Sequence, residues 1–172
     1  ADVQAVLGWR MPAGVAPRLP RLRWVCSVGA GVDKLLVPEL PPQVQVSRIV
    51  DVEQAEGIAQ FVVLMALRHA RGLPAYEQQQ RDRRWTRRPT GALRSRVGVL
   101  GMGAVGSAVA RMLQAVGFQV TGFSRHAGSS LDDVLSCSDI VVCALPLTAQ
   151  TEGLLGAGAF ARMPRGSYLI NI

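Results

Sequence analysis

Lysine, histidine and aromatic residues are scarce in this sequence. Only Lys34 is a lysine, 18 of the 19 basic residues are arginines, and there are two histidines. An arginine bias of this kind, together with abundant alanine and glycine, is more typical of a genome's base composition than of selection for a polyanionic partner. The formal net charge of +7 therefore does not by itself predict a nucleic-acid partner.

One arginine-rich segment needs a separate explanation. Seven arginines lie between Arg81 and Arg96, with Trp85 among them. The segment lies between two well-patterned elements and has a single aromatic residue, whereas a nucleic-acid surface is expected to show a recognisable motif as well as charge. We expect a solvated linker surface with no specific role in binding nucleic acid.

Long apolar runs and metal-binding patterns are also missing. The longest strongly apolar stretch, Phe61–Leu67, is far shorter than the roughly 20 residues that span a bilayer, and no signal-peptide pattern opens the chain. The three cysteines, Cys26, Cys137 and Cys143, form no CxxC pair and have no histidine at metal-ligand spacing. We expect a cytoplasmic protein with no membrane partner and no metal, in which the cysteines are small buried side chains.

The organising motif is Arg96–Phe123. A short apolar run ends in Gly101, Gly103 and Gly106, apolar residues follow at helical spacing, and a second apolar run closes the motif. Gly101 allows a tight turn, Gly103 allows close approach of a pyrophosphate, and Gly106 allows the helix to pack on the strand. This order predicts a dinucleotide site, with the anion at the helix N-terminus. The alternative is a glycine-rich turn of another α/β domain.

A second glycine turn, Ser27–Asp33, follows a strand predicted at Leu22–Ser27. Gly29 and Gly31 would expose backbone N–H groups at the carboxyl end of that strand, where open α/β sheets bind ligands. A plain turn from strand to helix is the alternative. Another strand is predicted at Val44–Val50.

The sequence predicts one continuous helix over Asp51–Arg71. Asp51 is a suitable N-cap, apolar residues repeat at spacings of three and four, and Gly72 and Pro74 are expected to end the helix. Three apolar residues lie off the main stripe and predict burial by a second subunit: Phe61, Leu64 and Met65.

The residues after the strand predicted at Gln119–Phe123 distinguish between cofactors. An acidic residue there would bind the ribose hydroxyl of NADH, but the chain has Ser124, Arg125 and His126. A hydroxyl and a guanidinium suit the 2′-phosphate of NADPH. The alternative is an exposed loop arginine without a role.

The last part of the chain continues the α/β alternation. Asp139–Leu145 predicts a strand buried on both faces of a parallel sheet. Pro146 then turns the chain over the cofactor crevice, where Thr148 and Thr151 offer hydroxyls. Shorter elements are predicted at Leu131–Leu135, Gly158–Met163 and Ser167–Ile172.

In order and spacing, these motifs resemble the D-isomer-specific 2-hydroxyacid dehydrogenases, and within that family the NADPH-dependent glyoxylate and hydroxypyruvate reductases. The segments that carry the resemblance, besides the long helix, are Ser27–Asp33, Leu100–Gly106, Leu145–Thr148 with Thr151, and Tyr168–Asn171. The resemblance covers nearly the whole chain. It implies a Rossmann-type doubly wound parallel sheet with part of a flavodoxin-like substrate domain.

The resemblance also implies site residues. The backbone of Gly29, Ala30 and Gly31 would hold the substrate carboxylate. The implied cofactor-binding residues are Gly101, Gly103, Ala104, Val105, Gly106, Ser124, Arg125, Leu145, Pro146 and Thr151.

The family's catalytic Arg, Glu and His match no residue of this chain and are expected beyond Ile172. We therefore expect a fragment, a trimmed chain or a degenerate copy that is itself inactive. Residues 1–89 would form part of the substrate-binding domain, and residues 90–172 part of the cofactor-binding domain.

The implied function is hydride transfer from NADPH to a small 2-keto acid such as glyoxylate or hydroxypyruvate, with NAD as a possible second cofactor and a homodimer as the assembly. Two alternatives stay open. One is an inactive, corepressor-like homologue that binds a nucleotide, and the other is a dehydrogenase of the same fold that acts on a different 2-hydroxy acid.

Overall fold

The structure is a computed structural model and describes residues 2–87, 95–124 and 129–172. By its internal contacts the chain divides into two compact units. The first comprises Ala1–Asp51 with Pro146–Glu152, and the second Val52–Leu145 with Gly153–Ile172. Each unit has a parallel β-sheet and a hydrophobic core of its own.

The sheet of the first unit has the order β1-β2-β3. Its strands are β1 (Ala5–Gly8), β2 (Trp24–Ser27) and β3 (Gln45–Arg48), and a short 3₁₀ helix spans Ala16–Arg18. All pairings are parallel, so the carboxyl ends of the three strands lie at one edge of the sheet. The buried residues that form the core are Met11, Ala16, Leu22, Val25, Leu35 and Val44.

The sheet of the second unit has the order β5-β4-β6-β7. Its strands, again all parallel, are β4 (Arg96–Leu100), β5 (Gln119–Phe123), β6 (Ile140–Cys143) and β7 (Tyr168–Asn171). The chain passes from β4 to β5 on one side and then to β6 on the other. The strand order therefore reverses between β4 and β6, which is where open α/β sheets form their ligand crevice.

Helices cover both faces of this second sheet. The helices are α1 (Val52–Ala70), α2 (Leu73–Arg81), α3 (Ala104–Ala115), α4 (Leu131–Cys137) and α5 (Ala157–Arg162). On one face α1 and α3 share a core with Val97 and Val99, and on the other α4 and α5 share a core with Leu100 and Val141. The predicted α/β class with a doubly wound parallel sheet is confirmed.

The long helix α1 is continuous, as the sequence predicts. It buries mainly small side chains, at Ala55, Ala59, Val62 and Ala66, and these allow close packing against α3. Its other side is open, because Phe61 is 53% and Leu64 58% exposed in the single chain. None of the helices in the described residues combines the length and apolarity that a membrane span requires.

Helix α2 is not predicted from the sequence. Gly72 and Pro74 do end α1, but Gly72 also serves as the N-cap of α2 with φ +64°, and Pro74 lies in the first turn, where its missing N–H costs no hydrogen bond. Arg68 of α1 contacts Glu77 of α2 at 2.6 Å. Residues 82–87 beyond α2 are exposed, as expected of a solvated linker, whereas residues 88–94 lie outside the described part.

The prediction that all three cysteines are buried is wrong. Cys137 is exposed at the end of α4, and Cys26 and Cys143 are only partly buried. Apolar neighbours in the sequence do not show whether a residue near the end of a helix or strand faces the core. Here the fully buried positions are those of the neighbouring residues Val25 and Val142.

Candidate functional site

The segment between β4 and α3, Gly101–Gly106, is here called the cofactor turn. Gly101 has φ +95°, a conformation that side chains disfavour, and its N–H donates to the Phe123 carbonyl at 2.9 Å. A Cβ on Gly101 would lie 2.7 Å from the carbonyl oxygen of Ala144, which follows β6. Both backbone angle and crowding therefore require glycine here.

Gly106 and Gly103 are glycines for different reasons. A Cβ on Gly106 would overlap the Gly101 carbonyl, so α3 packs directly on the turn. Gly103 has φ −77° and ψ −162°, which any residue adopts, and a Cβ there would have no atom of residues 2–87, 95–124 or 129–172 within 4 Å. The space over Gly103 is therefore open to a ligand, and it fits the pyrophosphate of a dinucleotide.

The N-terminus of α3 supplies donors for such an anion. The first helical bond runs from Ser107 N–H to the Gly103 carbonyl at 2.9 Å. The N–H groups of Ala104, Val105 and Gly106 have no acceptor within residues 2–87, 95–124 and 129–172. These free donors, together with the helix dipole, favour a bound phosphate group.

The end of β5, predicted to select the cofactor, is described only in part. Ser124 directly follows the strand and is half-buried. Arg125 and His126 lie outside the described residues, so their contact with a 2′-phosphate stays a prediction. The Met102 side chain lies over the carboxyl end of β5, because a Cβ on Gly122 would be 2.7 Å from its sulfur.

The predicted cofactor contacts after β6 fall in different units. Leu145 packs on the core of the second unit with Leu100 and Val141. Within the segment that belongs to the first unit, the Thr151 hydroxyl donates to the Pro146 carbonyl at 2.5 Å and accepts the Thr148 N–H at 2.9 Å. Thr151 thus closes its own turn, and its role towards a cofactor stays a prediction.

The predicted carboxylate-binding segment, Ser27–Asp33, is here called the substrate loop. Ser27 is fully buried, and its hydroxyl donates to the Gly31 carbonyl at 2.6 Å and accepts the Gly29 N–H at 3.1 Å. The Gly29 N–H is therefore already used. The N–H groups of Ala30 and Gly31 have no acceptor among the described residues and stay free for a carboxylate.

Two side chains from neighbouring strands flank the substrate loop. Arg48, the last residue of β3, donates from Nη1 to the Ala30 carbonyl at 3.0 Å. Trp9, directly after β1, packs so closely on Gly29 that a Cβ there would overlap its ring. Neither residue is predicted from the sequence, because nothing local links them to the loop. Their only signal is that each lies at the carboxyl end of a strand of the same sheet.

His69 is not placed for proton transfer. Its ring stacks on that of Tyr168, with centroids 4.5 Å apart and planes inclined by 6°. A packing role at the end of α1 accounts for this histidine.

The amino-terminal edge of the second sheet has a separate electrostatic contact. The backbone N–H of Arg96 donates to Asp139 Oδ2 at 2.8 Å, and the guanidinium lies 3.4 Å from Oδ1. The backbone hydrogen bond lowers the pKa of Asp139, and the side chain of Arg96 adds to the effect. This contact stabilises the sheet at the edge opposite the cofactor turn.

Comparisons with known proteins agree with this geometry. The family model for the D-isomer specific 2-hydroxyacid dehydrogenase NAD binding domain matches residues 63–172. A glyoxylate/hydroxypyruvate reductase A from Photorhabdus laumondii is 32% identical over 95% of this chain and 58% of the relative.

Two solved structures extend the agreement. One is a D-isomer specific 2-hydroxyacid dehydrogenase from Xanthobacter autotrophicus in complex with NADPH and MES (TM-score 0.88, 39% identity, 99% of this chain and 58% of that one). The other is an NADPH-dependent glyoxylate/hydroxypyruvate reductase from Sinorhizobium meliloti in complex with NADP and sulfate (TM-score 0.84, 33% identity, 98% and 58%). The chain thus spans 58% of the length of these relatives. It belongs to the D-isomer-specific 2-hydroxyacid dehydrogenase family.

Proposed function

We propose that the gene product reduces a small 2-keto acid, glyoxylate or hydroxypyruvate, to a D-2-hydroxy acid with NADPH. The observation that carries the proposal is the open position over Gly103, flanked by two glycines whose Cβ positions are blocked by backbone. Such an arrangement preserves a pocket for a dinucleotide while fixing the turn that surrounds it. The relatives named as glyoxylate/hydroxypyruvate reductases support the substrate class.

In the proposed reaction the cofactor turn and the free N–H groups of α3 hold the pyrophosphate. The free N–H groups of Ala30 and Gly31 hold the substrate carboxylate. Bound NADPH supplies the hydride. Carbonyl polarisation and proton donation fall to the Arg, Glu and His that the family places after the segment matching Asn171.

Preference for NADPH over NADH rests on Ser124 and Arg125. No acidic residue follows β5 directly to bind a ribose hydroxyl, and a guanidinium can bind a 2′-phosphate with two hydrogen bonds. Two relatives of known structure hold NADPH or NADP. NADH is the weaker cofactor in this proposal.

The proposed assembly is a cytoplasmic homodimer whose contact includes α1. Phe61 and Leu64 are exposed, and an apolar groove of about 420 Å³ lies between α1 and α3. Its lining residues include Val63, Leu67, Met112 and Val116. A second copy would remove this apolar surface from water. In this proposal residues 1–89 form part of the substrate-binding domain, and residues 90–172 form part of the cofactor-binding domain.

The test is NADPH oxidation by the complete gene product with glyoxylate or hydroxypyruvate. We expect turnover of about 1 per second or faster, as is typical of enzymes. Gly103→Ala should abolish NADPH binding by filling the open position. Gly158→Ala is the matched control, because a Cβ there makes only ordinary contact with Arg162.

Two outcomes would each favour one of the alternative functions. NADPH binding without reduction of any 2-keto acid would favour the inactive, nucleotide-binding alternative. Turnover confined to a different 2-hydroxy acid would favour the other alternative and would leave the cofactor assignment in place.

A further inference from the structure

The two free donors of the substrate loop are oriented through the carbonyl oxygens of their own peptide units. The described residues contain no cis peptide bond, so the carbonyl oxygen and the N–H of each unit point in opposite directions. The direction of the Ala30 N–H therefore follows from the Gly29 carbonyl, and that of the Gly31 N–H from the Ala30 carbonyl. Whatever holds these two carbonyl oxygens fixes where the two N–H groups point.

A backbone contact holds the first of these carbonyl oxygens. The N–H of Ile49, which directly follows β3, donates to the Gly29 oxygen at 3.3 Å. Every residue except proline has this donor, so the contact requires no particular side chain. The direction of the Ala30 N–H is therefore set by the neighbouring main chain alone.

A side chain holds the second carbonyl oxygen. Arg48 Nη1 donates to the Ala30 oxygen at 3.0 Å, and no other donor to this oxygen lies in residues 2–87, 95–124 or 129–172. A hydrogen bond from a charged donor is stronger than one between neutral groups. It also polarises the peptide unit that it binds, which makes the Gly31 N–H a better donor. The Gly31 N–H thus depends on one guanidinium group.

The Ser27 hydroxyl does not duplicate this contact. It accepts the Gly29 N–H and donates to the Gly31 carbonyl, so it holds the loop on either side of the Ala30–Gly31 peptide unit but not that unit itself. Ser27 is fully buried, whereas Arg48 is exposed. A substitution of Arg48 should therefore free the central peptide unit while the buried anchor of the loop stays in place.

We propose that Arg48 is a positioning residue for the substrate carboxylate, an inference that rests on the function proposed above. Its guanidinium binds the Ala30 carbonyl on the side away from the ligand and so directs the Gly31 N–H toward the carboxylate. Arg48 acts through this peptide unit and not by contact with the substrate. It therefore controls the affinity of the loop for a carboxylate and leaves the hydride transfer itself unchanged.

The first test measures NADPH oxidation with glyoxylate by the complete gene product. Arg48→Met removes the donor and keeps most of the aliphatic stem, so it should raise KM about tenfold with little change in kcat. Arg48→Lys keeps a charged donor and should recover much of the affinity, because the contact uses a single N–H. Arg21→Met is the matched control. Arg21 precedes β2 and pairs with Asp2, whereas the loop follows that strand, so KM should stay unchanged.

A binding measurement separates carboxylate affinity from turnover. Oxalate, an unreactive dicarboxylate, is titrated into the NADP-bound gene product, and the heat of binding is recorded. The Kd for oxalate should rise about tenfold in Arg48→Met and stay unchanged in Arg21→Met. The Kd for NADPH should be the same in both variants and in wild type. A rise of equal size in the Kd for NADPH would show a general loss of structure and would overturn the positioning role.

The results distinguish failure of this proposal from failure of the proposed function. An unchanged Kd for oxalate in Arg48→Met would overturn the role of Arg48, and so would a loss in Arg48→Lys as large as that in Arg48→Met. Reduction of glyoxylate by the wild type would still support the proposed function. A wild type that binds oxalate but reduces no 2-keto acid would overturn the function, whereas the tenfold rise in Arg48→Met would still support the positioning role.

Discussion

The cofactor turn and the substrate loop both follow a strand that has a neighbour on each side, yet they are fixed in opposite ways. The cofactor turn is closed by backbone, because neither Gly101 nor Gly106 has room for a Cβ. The substrate loop is closed by side chains: the Ser27 hydroxyl holds it from within, and Trp9 and Arg48 hold it from adjacent strands.

This difference predicts which kind of substitution disrupts each segment. A turn that depends on missing side chains is disrupted when one is added, and a loop that depends on side chains is disrupted when one is removed. The difference also explains why the cofactor turn has the more specific signature in the sequence. At Gly101 and Gly106 glycine is the one residue that fits the backbone, so the spacing of these two positions itself carries the information.

The largest effect is expected for Gly106→Ala. The added Cβ overlaps the Gly101 carbonyl, so α3 must move away from β4, at a cost of about 3 kcal/mol or more in the free energy of unfolding. Urea unfolding measures this loss. Gly103→Ala, in open space, should change the stability by less than about 0.5 kcal/mol. Equal losses for the two variants would contradict the distinction between blocked and open glycines.

Arg125→Ala should have the next largest effect, on cofactor choice. Loss of a charge-assisted hydrogen bond of about 1.5 to 3 kcal/mol would reduce the preference for NADPH over NADH roughly ten- to a hundredfold. Titration of the complete gene product with both cofactors measures the ratio. Arg162→Ala is a control, because that arginine pairs with Asp132. A wild type with equal affinities would show that Arg125 does not bind the phosphate.

Ser27→Ala tests the substrate loop by removing a side chain. The buried Gly29 N–H loses its acceptor, and the Gly31 carbonyl loses its donor. We expect a loss of about 1 to 3 kcal/mol in stability, the cost of an unsatisfied buried group, together with a higher KM for the 2-keto acid. Ser27→Thr keeps the hydroxyl and should retain more of both. An unchanged KM in Ser27→Ala would show that the loop does not need this anchor.

The smallest effect is expected at Asp139, at the edge of its own sheet opposite the cofactor turn. Its pKa is lowered below the ordinary value of 3.8 by the Arg96 N–H, so the folded state favours the carboxylate. The stabilisation is present above about pH 4 and is lost as the pH falls through the lowered pKa. Because the pair is partly exposed, we expect less than about 1 kcal/mol. Asp139→Asn should be less stable than wild type at neutral pH, and the gap should close in acid.

Much of the fold is predictable from local pattern. The strand at Gln119–Phe123 has the predicted limits, and α1 differs from its prediction by one residue at each end. Helix α2 is missed because Gly72 and Pro74 are typical both of a helix that ends and of one that begins. These residue types mark a helix boundary, but they do not show whether one helix ends there or a second helix begins directly after it.

The candidate site is predictable where backbone geometry fixes residue identity. Gly101 and Gly106 meet that condition, and the structure gives each the reason the sequence suggests. Trp9 and Arg48 do not, because their contacts with the substrate loop depend on the order β1-β2-β3 and on strand register. A single sequence carries no direct record of which strands become neighbours.

The open space over Gly103 also has an evolutionary consequence. Since any residue can adopt its backbone angles, and a Cβ there would meet no atom of the described residues within 4 Å, that part of the fold leaves the position unconstrained, and we expect the constraint to come from a bound dinucleotide. A homologue released from cofactor binding would be free to drift at Gly103 while Gly101 and Gly106 stayed under selection for folding. The residue at the position of Gly103 in a related chain would then indicate whether that chain still binds the nucleotide.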